Sequence, residues 1–124
     1  MADAITWFDI PTTDFDRAIK FYSDIMGAPI RVEELAGMKM GFFPTEGREG
    51  VGGNIISSSP DAVPGPQGNR IYINCDGRLD EVIGRVEPAG GQVVGPKFKM
   101  DDALGWIAHV RDTEGNVVGL HSAQ

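Results

Sequence analysis

The chain has 124 residues, 41% of them hydrophobic and 23% charged, with a net charge of −7. That is the size and balance of one ordinary globular domain able to bury a core without staples. The acidic balance and the absence of a Lys/Arg cluster argue against a nucleic-acid or anionic-membrane partner.

The first element is an alternating strand, Ile5–Ile10 (ITWFDI), with Phe8 and Ile10 on one face and Trp7 and Asp9 on the other. Pro11 ends it, and Thr12, Thr13 and Asp14 supply helix N-cap chemistry. A helix is expected over Phe15–Met26, its apolar residues recurring at helical spacing, with Gly27 as the stop. Strands follow at Ile30–Leu35, Met38–Phe43 and Gly53–Ser57, and turn-rich segments bracket the last of these.

The order then restarts. Arg70–Cys75 (RIYINC) is a second alternating strand, with Ile71, Ile73 and Cys75 suited to packing against a helix and Arg70, Tyr72 and Asn74 opposite. A helix is expected over Leu79–Glu87, stopped by Pro88-Ala89-Gly90-Gly91, and strands at Gln92–Gly95, Gly105–Val110 and Val117–Ser122. In the last strand Val118 and Leu120 face the helix, leaving Val117, Gly119 and His121 opposite.

The chain therefore reads β-α-β-β-β twice, and the two helices superpose at an offset of about 64 residues, Ile19 on Ile83 and Gly27 on Gly91. The expectation is an α+β domain of two βαβββ modules: module one over about 1–57, a Pro- and Gly-rich linker over about 58–68, and module two over about 69–124. One helix covers one face of a four-stranded sheet. Paired modules would form a curved mixed sheet, helices outside and a concave face inside.

The concave face collects two aromatic rings, Trp7 and Tyr72, with Asp9, Asn54, Arg70, Asn74 and His121. Apolar walls with a few convergent polar groups are the composition of a small-molecule pocket. Asp9 and Arg70 are placed to bracket a polar ligand, or to satisfy each other. Asp9 and His121 are the candidate general bases, and Trp7, Asn54, Arg70, Tyr72 and Asn74 the candidate ligand contacts. His109 is read as a surface or satisfied histidine, and Cys75 as a buried inert thiol. Trp106 is read either as a cover for the pocket mouth or as ordinary packing. The single cysteine excludes an internal disulfide and suits a reducing, cytoplasmic setting. No apolar run is long enough to span a bilayer, and the N-terminus lacks the pattern of a signal peptide.

The string WFDIPTTDFDRAIKFYSDIMGAP, with its phrase Phe21-Tyr22 followed five residues later by Gly27, resembles the opening of vicinal-oxygen-chelate proteins. LDEVIGRVEPAGGQVV and RDTEGNVVGLHS are similar to that superfamily's second module, with Thr113 where its closing turn usually has Pro. The resemblance implies the glyoxalase and bleomycin-resistance fold, commonly with a divalent metal held on four inward-facing strand positions. Carried over, those positions fall on Ile5, on Gly53 or Asn54, on Arg70 and on Gly119. They are a poor donor set: Arg70 is a permanent cation, and Ile5 and Gly119 offer no donor. The expectation is thus a glyoxalase-like small-molecule-binding protein with no metal and no cofactor. It would act as a binder or a metal-independent lyase or isomerase on a polar substrate. The alternative is a metal-dependent glyoxalase-type lyase or dioxygenase. A homodimer is expected, because exposed sheet edges need covering.

Overall fold

A computed structural model describes residues 7–35, 37–44, 51–57 and 62–124. Its elements run β1 (Trp7–Pro11), α1 (Phe15–Met26), β2 (Arg31–Leu35), β3 (Met38–Phe42), β4 (Gly52–Ile56), β5 (Tyr72–Asn74), α2 (Leu79–Val86), β6 (Gln92–Val93), β7 (Phe98–Asp101), β8 (Gly105–Arg111) and β9 (Val117–Ser122). The α+β architecture and the duplicated module are as the sequence pattern requires. Ile5 and Thr6 lie outside the described residues, as do the first residues of the linker, 58–61.

Each module makes its own mixed sheet. The first has strand order β1-β4-β3-β2 and the second β5-β9-β8-β6, with β7 also on β8. In both, the opening strand pairs in parallel with the closing strand: Trp7 opposite Gly52 and Asp9 opposite Asn54 in one, Tyr72 opposite Gly119 and Asn74 opposite His121 in the other. The remaining pairings are antiparallel.

Helix α1 starts where the Asp14 side chain accepts from the Arg17 amide. It stops at Gly27, whose φ of 67° is left-handed and comfortable only without a Cβ. Its buried face, Phe15, Ala18, Phe21, Tyr22, Ile25 and Met26, shares one core with Leu79, Val82 and Val86 of α2 and with Ile10, Ile55, Ile73, Val110, Val118 and Leu120 of the sheets. Both helices thus cover the same side, and the strand residues opposite this core form the other face. Two arginines of the second module finish α1: Arg78 Nη1 donates to the Met26 carbonyl and Arg85 Nη1 to the Ile25 carbonyl.

The second module differs from the expected pattern in two places. Strand β5 is only Tyr72–Asn74, so Arg70 precedes it rather than opening it. Strand β7 was not expected, because all four of its residues are exposed and no apolar face marks it. Backbone pairing with β8, Phe98 opposite Ile107, defines it instead.

The closing turn of the second module locks onto the first. Asp112 accepts from the Tyr22 hydroxyl at 2.7 Å and from the amides of Glu114 and Asn116. Asn116 donates to the Pro11 carbonyl. One Glu114 oxygen takes the amides of Thr13 and Asp14 and the Thr13 hydroxyl; the other takes Arg17 Nε at 2.7 Å. Burial opposes the charge on Glu114, but the Arg17 guanidinium and these amides outweigh it and hold the carboxyl at about 2.

Candidate functional site

The face away from the helices carries the chemistry. On β1, Trp7 is exposed and Ile10 buried; on β5, Tyr72 and Asn74 are exposed and Ile73 buried. Trp7, Asp9, Tyr72, Asn74 and His121 therefore share the side opposite the core, and Arg70 is exposed just before β5.

Their surroundings differ. Tyr72, Gly119 and His109 are successive partners across β5, β9 and β8. With no side chain on Gly119, the Tyr72 ring lies across it; a Cβ there would overlap the ring. The Tyr72 hydroxyl thereby reaches His109 Nε2 at 3.1 Å, and Arg70 Nη1 reaches the same nitrogen at 3.2 Å. A guanidinium can only donate, so Nε2 is the acceptor and the neutral ring carries its proton on Nδ1. Burial first and the Arg70 charge second lower the His109 pKa, which keeps it neutral near pH 7. The Phe98 ring stands 6.2 Å from His109, edge-on. His109 is the satisfied histidine expected, part-exposed on the face opposite the core and held between Arg70 and Tyr72. Alternation already put it opposite Trp106 and Ala108; its row mate, Gly119, was the signal available in the sequence.

The first module repeats the device. Trp7 lies over Gly52, where a Cβ would come 2.8 Å from Trp7 Cζ3, and its indole N–H donates to Asn54 Oδ1. Phe42 meets Trp7 edge-on at 6.0 Å, and the Arg31 guanidinium sits 4.6 Å from the centre of the Phe42 ring. Asn54 is fully buried and anchors the indole.

A cavity of about 290 Å³ is lined by Asp9, Ile10 and Pro11 of β1, by Val63 and residues 65–71 ahead of β5, and by Asn116, Val117 and Val118 at the start of β9. Asp9 and Arg70 thus share a cavity, but among the described residues they form no ion pair. Trp7, Tyr72 and His121 are not part of its lining. His121 Nε2 donates to the Leu104 carbonyl at 2.6 Å. Asn74 Oδ1 accepts from the Asp76 amide, shaping the turn into α2. Trp106 packs against the core with Lys97 over its ring, which is the packing role and not the cover of a pocket mouth. Cys75 is buried, and burial pushes its thiol up to about 11.

The donor set fits no metal. Gly119 is covered by a phenol ring, Asn54 is committed to an indole, and Arg70 is cationic; Ile5 lies outside the described residues. Among the described residues no three His, Cys, Asp or Glu side chains converge into a possible metal site.

Comparison with known proteins follows this geometry. The model of the glyoxalase/bleomycin resistance protein/dioxygenase superfamily matches residues 4–120. A glyoxylase-named protein of Mycobacterium tuberculosis is 33% identical over 119 residues, 94% of this chain; the chain spans only 44% of that relative's length. A glyoxylase/bleomycin resistance protein/dioxygenase domain from a Frankia species superposes with a TM-score of 0.73 at 15% identity, covering all of both chains. An antibiotic-binding protein from a Streptomyces species gives 0.71 at 23% identity, covering 100% of this chain and 99% of that one. The chain belongs to the glyoxalase/bleomycin resistance protein/dioxygenase superfamily.

Proposed function

We propose that this superfamily member binds a small polar molecule on the concave face of its sheets, with no divalent metal in the site. The observation that carries the reading is the row Tyr72–Gly119–His109 with Arg70 at its end. Three hydrogen-bonding side chains converge there, around Gly119, one of the positions where the superfamily resemblance places a metal ligand. Likeness to an antibiotic-binding protein supports a binding role over a structural one. Arg70 supplies a fixed positive charge, and the cavity beside it supplies room.

A second reading is metal-independent lyase or isomerase chemistry. It is favoured by His109, a neutral imidazole held by Tyr72 and Arg70. Asp9, on the cavity wall, is the proposed carboxylate base; His121 is a weaker candidate because the Leu104 carbonyl already takes its Nε2 proton.

The working unit is proposed to be a homodimer in the cytoplasm. The exposed strands β2 and β7, with Val32, Phe98 and Met100, support the first part, and the single buried thiol the second. Among the described residues no helix is long and apolar enough to cross a membrane.

Elemental analysis of the purified protein, together with mass spectrometry of small molecules released on denaturation, tests the central claim. The expected result is no stoichiometric divalent ion. Any co-purified organic ligand should be reduced in amount in Arg70→Ala and His109→Ala proteins. One nickel, zinc or iron per chain, removed by chelator with loss of an activity, would sink the metal-free reading.

A further inference from the structure

We infer that the cavity shared by Asp9 and Arg70 binds a small zwitterion, its cationic amine on the Asp9 carboxylate and its anionic group on the Arg70 guanidinium. The inference rests on the reading that this protein binds a small polar molecule, and it names the charge class of that molecule.

The cavity has built walls. One buried side chain, Asn116, ties together three of the segments that line it. Its Oδ1 accepts from the Gly65 amide of the linker at 3.0 Å, and its Nδ2 donates to the Pro11 carbonyl at the end of β1 at 2.9 Å. Its own amide donates to Asp112 at 2.9 Å, which fixes the chain as it enters β9. Walls pinned in this way hold their side chains in position before a ligand arrives.

The charge inside is balanced. Among the described residues Asp9 and Arg70 are the ionisable groups of the lining, one of each sign, in a chain whose net charge is −7. They nevertheless form no ion pair. Arg70 has another partner: its Nη1 lies 3.2 Å from His109 Nε2, the nitrogen that the Tyr72 hydroxyl also reaches. A guanidinium has five N–H donors, so the others are left for a ligand. Asp9 is fixed on β1 in register with Asn54. The two charges thus stand apart on one cavity. A simple anion there would gain Arg70 and be repelled by Asp9, and a simple cation would meet the reverse. A molecule with both charges at its two ends meets an opposite charge at each. An amine-bearing acid has that form, and the Gln67 and Asn69 side chains add neutral hydrogen-bonding groups to the same lining.

The probes are the ω-amino acids of three to six carbons, each set beside the plain carboxylic acid and the plain amine of the same chain length. They are titrated at neutral pH and low ionic strength into isotope-labelled wild-type, Asp9→Asn and Arg70→Gln chains, and binding is followed by amide NMR shifts. In the wild type at least one ω-amino acid should bind about three- to fivefold more tightly than either companion, the scale of one further solvent-screened charge contact. The amides of Gly65, Gly68 and Val117, on the cavity wall, should be among those that move. Asp9→Asn should erase the preference over the plain acid and tighten the plain acid itself. Arg70→Gln should erase the preference over the plain amine and tighten the plain amine. A merely structural role for either residue would weaken all three probes together, so the opposite signs read the charges. Circular dichroism checks that both variants are folded, and the wild-type comparison is decisive without them. A plain acid or amine that binds as tightly as its ω-amino acid at every length overturns the inference and leaves a small-molecule site in place. Shifts confined to residues away from the cavity do the same. No binding of any probe at millimolar concentration overturns the inference, and the co-purification experiment above then judges the binding reading separately.

Discussion

Replacing Glu114 by Ala should unfold this protein far more easily than an ordinary surface change. The carboxylate is fully buried at the side chain, and it serves five donors: two amides and a hydroxyl at the start of α1, Arg17, and the neighbouring Thr113 hydroxyl. Alanine leaves the amides of Thr13 and Asp14 without this acceptor and Arg17 without this partner. Breaking a buried, hydrogen-bonded charge cluster costs about 3–5 kcal/mol, and the half-exposed Arg17, which water can take over, argues for the lower end. Independently, a carboxyl held at about 2 against an ordinary 4.5 carries about 3 kcal/mol of pH-dependent stability. The sign follows from the lowered folded pKa. The contribution is complete above about pH 4.5 and disappears as pH falls toward about 2. Urea titrations at neutral pH should show the Glu114→Ala midpoint lower by about 1–3 M at an unchanged slope. The two proteins should converge as the medium is acidified through that window. A midpoint shift of a few tenths molar, or a gap that stays constant down to about pH 2.5, would refute the latch.

Arg70→Ala should weaken an anionic ligand by only about 1 kcal/mol, since the guanidinium is exposed and water screens it. The same change should raise the His109 pKa, read by proton NMR, because one of its two depressing causes is removed; an unmoved titration would place Arg70 elsewhere. Cys75 should resist a disulfide-exchange reagent at mildly alkaline pH until urea is added, as its thiol is buried and pushed up to about 11; rapid labelling of the folded chain would contradict that. Light scattering should give the mass of a dimer at micromolar concentration, and a monomer there would remove the proposed assembly.

Where burial is one-sided, the sequence was readable. Phe8 and Ile10 against Trp7 and Asp9, and Val118 and Leu120 against Gly119 and His121, set the strand faces because one side of each sheet meets helices. The unread parts are those that lack such a contrast. Strand β7 has no buried residue, so nothing in its side chains announces it. The partners of polar groups were equally hidden: the sequence offered Asn54 and Asn74 as ligand contacts without showing that Asn54 holds an indole and Asn74 a turn. Asp9 and Arg70 were legible as neighbours of one cavity and not as an ion pair, since spacing along a strand gives the face but not the reach of a side chain.

The phrases by which the superfamily is recognised have a shared physical cause in this chain. The tyrosine of the Phe21-Tyr22 phrase is buried among apolar groups, and its hydroxyl needs an acceptor. Asp112 of the closing turn supplies it across 90 residues, while the same turn offers Glu114 to the helix that carries Tyr22. Losing either phrase would strand polar groups of the other in the core, so both are bound to the fold whatever the groove does. The metal positions have no such tie. Gly119 lies beneath a ring that any side chain would displace, and nothing in the core depends on a donor there. Fold and metal chemistry can therefore separate: the face opposite the core carries Asp9, His109 and His121, yet among the described residues no three such groups converge as chelation would need.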